Sequence, residues 1–280
     1  MKRYLTVEEL KQDFPTAFNV AGDVDFTNAP GAEGITELPE NWAVKGGLRL
    51  QGLSALRVIP KGLSVGRNFE LEDCRSVVTL PRDISVGRSV RVINCPSFEA
   101  IPDGVSPSYS FFIFGCEKFA RLPSSLDVEW LTVSNCPSLR SLPDKVVARK
   151  NFEVSSCPVL LSLPQHLYVG EWMCIAECPE VRSIPDGLNL KYDLLMSGCS
   201  QIEELPADLR VGRNLDISKC SGIKEIPSTA EIGGALIMRG CKGVIIPENV
   251  AEACQNIIAS SASDYEISRA ARPEEISPTP

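Results

Sequence analysis

Two residue types recur through this chain with one period. Cysteine stands at 74, 95, 116, 136, 157, 178, 199, 220 and 241, each 21 residues after the last except for one step of 20. Proline stands at 39, 60, 81, 102, 123, 143, 164, 185, 206, 227 and 247, again stepping by 21, with two steps of 20. Proline precedes cysteine by 14 residues in every complete unit but one, where a residue is missing between Pro123 and Cys136. A 21-residue piece is too short to enclose a core of its own. Such pieces bury apolar surface only by stacking, each covering the next.

The unit PADLRVGRNLDISKCSGIKEI (206–226) fills every position of the pattern P-x-x-L-x-V-G-x-x-L-x-I-x-x-C-x-x-L-x-x-L, with Ile in the last two Leu slots. The register runs back through Pro15, Phe18, Val20, Val24 and Phe26, with Ala29 and then Leu53 in the cysteine slot, which gives eleven units from Pro15 to Ile246. Apolar residues alternate around Leu215 and Ile217, and around Phe69 and Leu71, and alternation is strand periodicity. Like strands from successive units pair in parallel at ~4.8 Å, so the stack is a rod or arc on the order of 50 Å long. A second alternating pair, such as Leu63 and Val65, precedes a frequent Gly (66, 87, 170, 212, 233). That glycine is expected to supply a turn where neither a side chain nor a negative φ fits.

The fold class expected is therefore a parallel β-solenoid, mainly β, with short helical caps. Residues 1–14 form the N-terminal cap: Thr6 and Glu9 make a T-x-x-E capping box before a helix that presents Val7, Leu10 and Phe14 on one face. Residues 15–246 form the solenoid. Residues 247–269 form a C-terminal cap, in which Val250, Cys254, Ile257 and Ile258 have helical spacing. Residues 270–280, polar and proline-rich, are expected to be a disordered tail.

Composition removes several function classes. The formal charge is −8, which disfavours a phosphate-tracking nucleic-acid binder and adhesion to anionic membranes. One His in 280 residues leaves little for His-based catalysis or His metal sites, and no phosphate-binding loop or H-E-x-x-H is present. His166 follows Pro164 in a loop-like slot and reads as a surface residue. The N-terminus MKRYLTVEELKQDF lacks the apolar run of a secretory signal, and no stretch reaches the ~20 apolar residues of a membrane helix. An odd count of 11 Cys fits a reducing compartment. A cytoplasmic protein is expected, with export without a cleaved signal left open. No enzyme, cofactor or metal is expected.

The segments LDISKCSGIKEIP and CPSLRSLP (136–143) resemble the leucine-rich repeat family over about residues 15–247. The ending C-x-x-L-x-x-L-P is similar to repeats of plant intracellular immune receptors and of bacterial effectors injected into host cells. The resemblance implies a concave strand face that binds a protein partner, and an effector-like or host-interaction role. One departure stands out. The family has Leu three residues before the first strand position, whereas here that slot is Gly, Lys, Arg or Ser and the apolar residue sits one place earlier (Val65, Val86, Val211). The outer side is therefore open to a second short strand as well as to a helix or 3₁₀ turn.

The nine ladder cysteines invite a metal or redox reading, but metal sites need cysteines close together, and only Cys174 and Cys178 come near. Each ladder cysteine instead reads as a small buried hydrophobe with a weak S–H donor.

Residues eight, ten and twelve after each proline point out onto a shared face. Its first units carry Arg49, Glu70 and Arg91, with Arg91 and Glu70 expected to form a cross-strand pair. Its middle carries Phe112, Phe114, Trp130, Trp172 and Leu195, with Glu153 and Asp193 among them. Exposed aromatic clusters mark interaction sites and Trp dominates binding hot spots. The partner-binding candidates are Phe112, Phe114, Trp130, Trp172, Leu195, Arg91, Glu153 and Asp193. Cover by neighbouring loops or by a second copy is the alternative. Trp42 falls in an inward slot and reads as core. The function expected is a non-catalytic protein-interaction scaffold, monomeric or weakly self-associating. The alternatives are a self-assembling structural element and a sensor array for a separate effector domain.

Overall fold

The structure, a computed structural model, describes residues 2–268. The tail expected at 270–280 lies outside the described residues. The chain forms a parallel β-solenoid of about twelve turns. One 13-stranded sheet runs its length. Its rungs include Asn68–Glu72, Ser89–Ile93 and Ser110–Phe114, each parallel to the next and offset by one repeat, and, three repeats further on, Trp172–Ala176.

Inward alternate residues of each rung stack into a continuous core. Phe69, Val90, Phe111, Leu131, Phe152 and Met173 make one fully buried column, and Leu71, Val92, Ile113, Val133, Val154 and Ile175 make its neighbour. Each buried side chain of this size contributes roughly 1.5–3 kcal/mol. Because each covers its counterpart one rung away, the stabilisation exists only between units.

The second side of most turns is strand, though the turn through Val105 has none. Ala43–Val44, Ser64–Val65 and Ser85–Val86 form one short parallel sheet, and Asn189–Leu190, Arg210–Val211 and Glu231–Ile232 form another. Between them the side strand fuses with the main strand, as Ser125–Ser134 and Lys145–Ser155. The residue missing between Pro123 and Cys136 is a corner residue, so the chain there passes straight from one side to the other. The next unit stays continuous, with the register between them shifting after Val128.

The corner glycines act through space rather than through φ. None of Gly66, Gly87, Gly170, Gly212 and Gly233 has a left-handed backbone. A Cβ at each would instead strike the carbonyl oxygen one rung earlier, of Lys45, Gly66, Arg149, Lys191 and Gly212 respectively. The positive φ sits elsewhere, at the residue before each ladder cysteine. Asp73, Asn94, Asn135, Ser156, Glu177 and Lys219 all have φ between 50° and 59°, and Gly115 and Gly198 take the same slot. Asn, Asp and Gly tolerate this region, while Glu177 and Lys219 hold it at roughly 1–2 kcal/mol each.

The ladder cysteines are all buried and free. Eight of them donate from Sγ to a carbonyl of the preceding rung, from Cys74 to Leu50 (3.3 Å) through Cys220 to Met196 (2.7 Å) and Cys241 to Ile217 (3.1 Å). Cys136 donates instead to Ser134 in its own turn, at 3.4 Å. Burial pushes Cys74, Cys136 and Cys220 up to about 12 and Cys116 and Cys199 up to about 11.

Both ends are built as follows. The helix Val7–Asp13 starts at the Thr6–Glu9 capping box and buries Leu10 against the first rung. Lys2–Arg3 adds a strand beside Ile35–Glu37 that periodicity did not reveal. Val20, in an apolar slot of the first unit, is fully exposed, because Phe18 and Val24 bridge antiparallel and throw Val20 onto a turn. At the other end the helix covers only Glu248–Ala253. Ile257 and Ile258, read as helical, lie in Asn256–Ile258, a twelfth rung on Ala235–Ile237. Tyr265–Ser268 likewise pairs with Val244–Pro247. No described helix is long and apolar enough to cross a membrane.

Candidate functional site

The outward face of the main sheet carries three columns, and the middle one is paired from end to end. The middle one runs Asp25, Arg49, Glu70, Arg91, Phe112, Thr132, Glu153, Cys174, Leu195, Asp216, Ile237 and Ile258, each paired with the next. Beside it Asn68, Ser89, Ser110, Trp130, Asn151 and Trp172 are likewise successive partners. One repeat length thus brings residues far apart in sequence into side-by-side contact.

Arg91, Phe112, Trp130, Glu153 and Trp172 line one concavity of about 580 Å³. Trp130 is 41% exposed and Phe114, one column over from Phe112, is 39% exposed. Phe114 stands outside the concavity, as do Leu195 and Asp193. Asp193 is committed to the ladder: its carboxylate accepts from the backbone N–H of Asn214 at 3.0 Å and from its side-chain amide at 2.8 Å.

Arg91 does not pair with Glu70. Arg49 takes that carboxylate at 3.7 Å and Glu72 at 2.5 Å, which leaves the Arg91 guanidinium 4.8 Å above the Phe112 ring. Arg49 bridges Glu70 and Glu72 together, and the Phe112 face accepts the remaining cation. Burial and the Glu153 charge push the outward Cys174 thiol up to about 12, so it is a protonated wall group rather than a nucleophile.

Sequence reasoning missed Tyr109. It occupies a corner slot, seven residues after Pro102, and was assigned to no face. Its ring folds over Trp130 at 5.6 Å between centroids, and Arg88, in the same slot one repeat earlier, lies 4.8 Å over it. The usable signal was the corner column itself, since residues 21 apart in any slot are neighbours. Trp42 is buried and packs near Phe18. His166 is exposed but begins a strand, His166–Val169, rather than sitting in a loop.

Six buried side-chain polar atoms have no hydrogen-bond partner among the described residues: Thr27 Oγ1, Arg49 Nε, Gln51 Oε1, Asn68 Oδ1, Arg91 Nε and Asn151 Oδ1. Five belong to outward residues of main-sheet strands and Thr27 lies in the turn after Val24–Asp25; those of Asn68, Arg91 and Asn151 line the concavity. An unpaired buried polar atom costs about 1–3 kcal/mol, so each of these calls for a partner from outside the chain, water or another molecule. Among the described residues no group of three or more His, Cys, Asp or Glu is arranged to hold a metal ion. In comparisons with known proteins, no family model and no curated protein matches the chain, and its functional reading rests on this face.

Proposed function

We propose that this chain is a non-catalytic protein-binding scaffold, of the leucine-rich-repeat type and working in the cytoplasm, whose partner seats on the outward sheet face between Arg91 and Trp172. The observation that carries the reading is that three buried polar atoms without a hydrogen-bond partner among the described residues, those of Asn68, Arg91 and Asn151, line the concavity there. The half-exposed Trp130 and Phe114 beside them supply the apolar surface that protein interfaces desolvate. An effector-like role at a host protein, after export without a cleaved signal, is the extension that the Leu-Pro units suggest. The test is capture of partners by the wild type against a Trp130→Ala/Trp172→Ala variant of equal thermal stability. Loss of the captured protein supports the reading, and retention of it overturns the assignment of this face.

A second reading, self-association, is favoured by a separate observation. The main sheet ends at Asn256–Ile258, whose outer edge pairs with no described strand. An open edge is a template for another chain. Sedimentation of the full chain separates the two, since end-to-end association survives the double Trp substitution.

A further inference from the structure

The aromatics of the outward face divide into two groups by charge. On the N-terminal side two rings already carry a cation: Arg88 stands over Tyr109 and Arg91 over Phe112, both at 4.8 Å. On the C-terminal side the corner ring Tyr192 also has cations, Lys191 at 4.9 Å and Arg213 at 5.9 Å, but the columns that carry Trp130 and Trp172 have none. From the rung of Trp130 to that of Asp216 the three columns contain Glu153, Asp193 and Asp216, and no Lys or Arg. Trp130 and Trp172 flank Asn151 in one column, about 10 Å apart at two rung spacings. Glu153 stands two residues on from Asn151, on the same rung and the same face. Its carboxylate accepts from the Ser155 hydroxyl at 3.4 Å and forms no ion pair among the described residues. Asp193 is already engaged by Asn214, so Glu153 is the carboxylate of the concavity itself.

A half-buried carboxylate without a cation, beside two indoles and the unpartnered Asn151 Oδ1, lacks one group: a donor-rich cation with a flat or compact head. We infer that the partner presents an arginine or lysine side chain to the concavity, where Trp130 and Trp172 take its apolar stem and cationic head and Glu153 its charge. This deepens the reading of the outward face as a protein-binding surface and depends on it. Arginine fits the site better than lysine. Its guanidinium stacks on rings as Arg88 and Arg91 already do here, and its fork can donate to Glu153 and Asn151 together. The net charge of −8 adds long-range attraction for a basic segment.

The experiment titrates the full chain with acetyl-Arg-Gly-Arg-Gly-Arg-amide and follows tryptophan fluorescence. The reference peptide carries citrulline in place of each arginine, with the same shape and no charge. The inference expects saturable binding of the arginine peptide, at least about tenfold weaker for the citrulline peptide. It expects the same loss in Glu153→Gln but none in Glu203→Gln, which removes an equal charge from outside the face. Equal binding of the two peptides overturns it, as does equal binding by Glu153→Gln and wild type. A fluorescence response to a soluble oligosaccharide such as maltohexaose with none to the arginine peptide also overturns it, in favour of a sugar site. Failure of the cation inference alone is recognisable: the double Trp variant still loses its captured partner while the arginine and citrulline peptides behave alike.

Discussion

The two faces of the main sheet are built from alternate residues of the same strands, yet they differ in how completely they are satisfied. Inward, Phe111 and Ile113 are buried in columns of their own kind, and the ladder thiols find carbonyls. Outward, Phe112 and Phe114 stay partly exposed, and five buried polar atoms have no hydrogen-bond partner among the described residues. The inner face is closed by the next unit of the chain. The outer face is not closed by any of the described residues, so stability belongs to the first and recognition is proposed for the second.

The comparison can be broken in three ways, beginning with alkali, where the effect is expected to be largest because many thiols act together. Burial raises Cys74, Cys136 and Cys220 to about 12 and Cys116 and Cys199 to about 11, from an ordinary value of 9.0. Above pH 9 the unfolded thiols release protons that the folded ones retain, so the unfolded chain binds fewer protons and alkali favours it. The stabilisation is complete below about pH 9 and is lost as the pH rises through 11 and 12. Circular dichroism against pH, with thiolate absorbance recorded alongside, checks this. Thiols that ionise near pH 9 with the strands intact would show that the inner face is open to solvent.

Next come two neighbouring phenylalanines. Phe111→Ala opens a cavity in the core and should cost about 3–5 kcal/mol in denaturant unfolding. Phe112→Ala, one residue on and facing out, removes only the Arg91 contact and should cost less than about 1 kcal/mol. Similar losses at both positions would abolish the distinction between the faces.

A loss smaller than that of Phe111→Ala is expected at the corner where the two sheets meet. In Gly87→Ala the new methyl group meets the Gly66 carbonyl one rung earlier, and about 1–3 kcal/mol should be lost by overpacking. Unchanged stability would mean that the rungs part easily there and that the close approach is not required.

Most of the fold was legible because its signal is a period. A residue and its counterpart 21 positions later are neighbours, so the columns, the inward cysteines and the grouping of Phe112, Trp130, Glu153 and Trp172 all follow from counting. Features without a period were not legible. Val20 lost its slot to a local antiparallel bridge, and Ile257 and Ile258, helical by spacing, joined the sheet because an open rung offered hydrogen bonds that a short helix could not match. Tyr109 was invisible as a site residue because a corner slot does not say over which face its ring folds. Arg91 lost its expected carboxylate to Arg49, a competition between rungs that no single unit contains.

By itself, then, the sequence determined the stack, the pairing register and which side chains face inward, since a fixed repeat leaves a parallel solenoid no other way to bury its Leu and Ile positions. Only the tertiary structure decided that the second side is mostly strand and that its corners need glycine for close approach. It alone also showed which charges on the outward face are already paired. Those outcomes depend on distances between successive turns, and such distances are properties of the assembled stack.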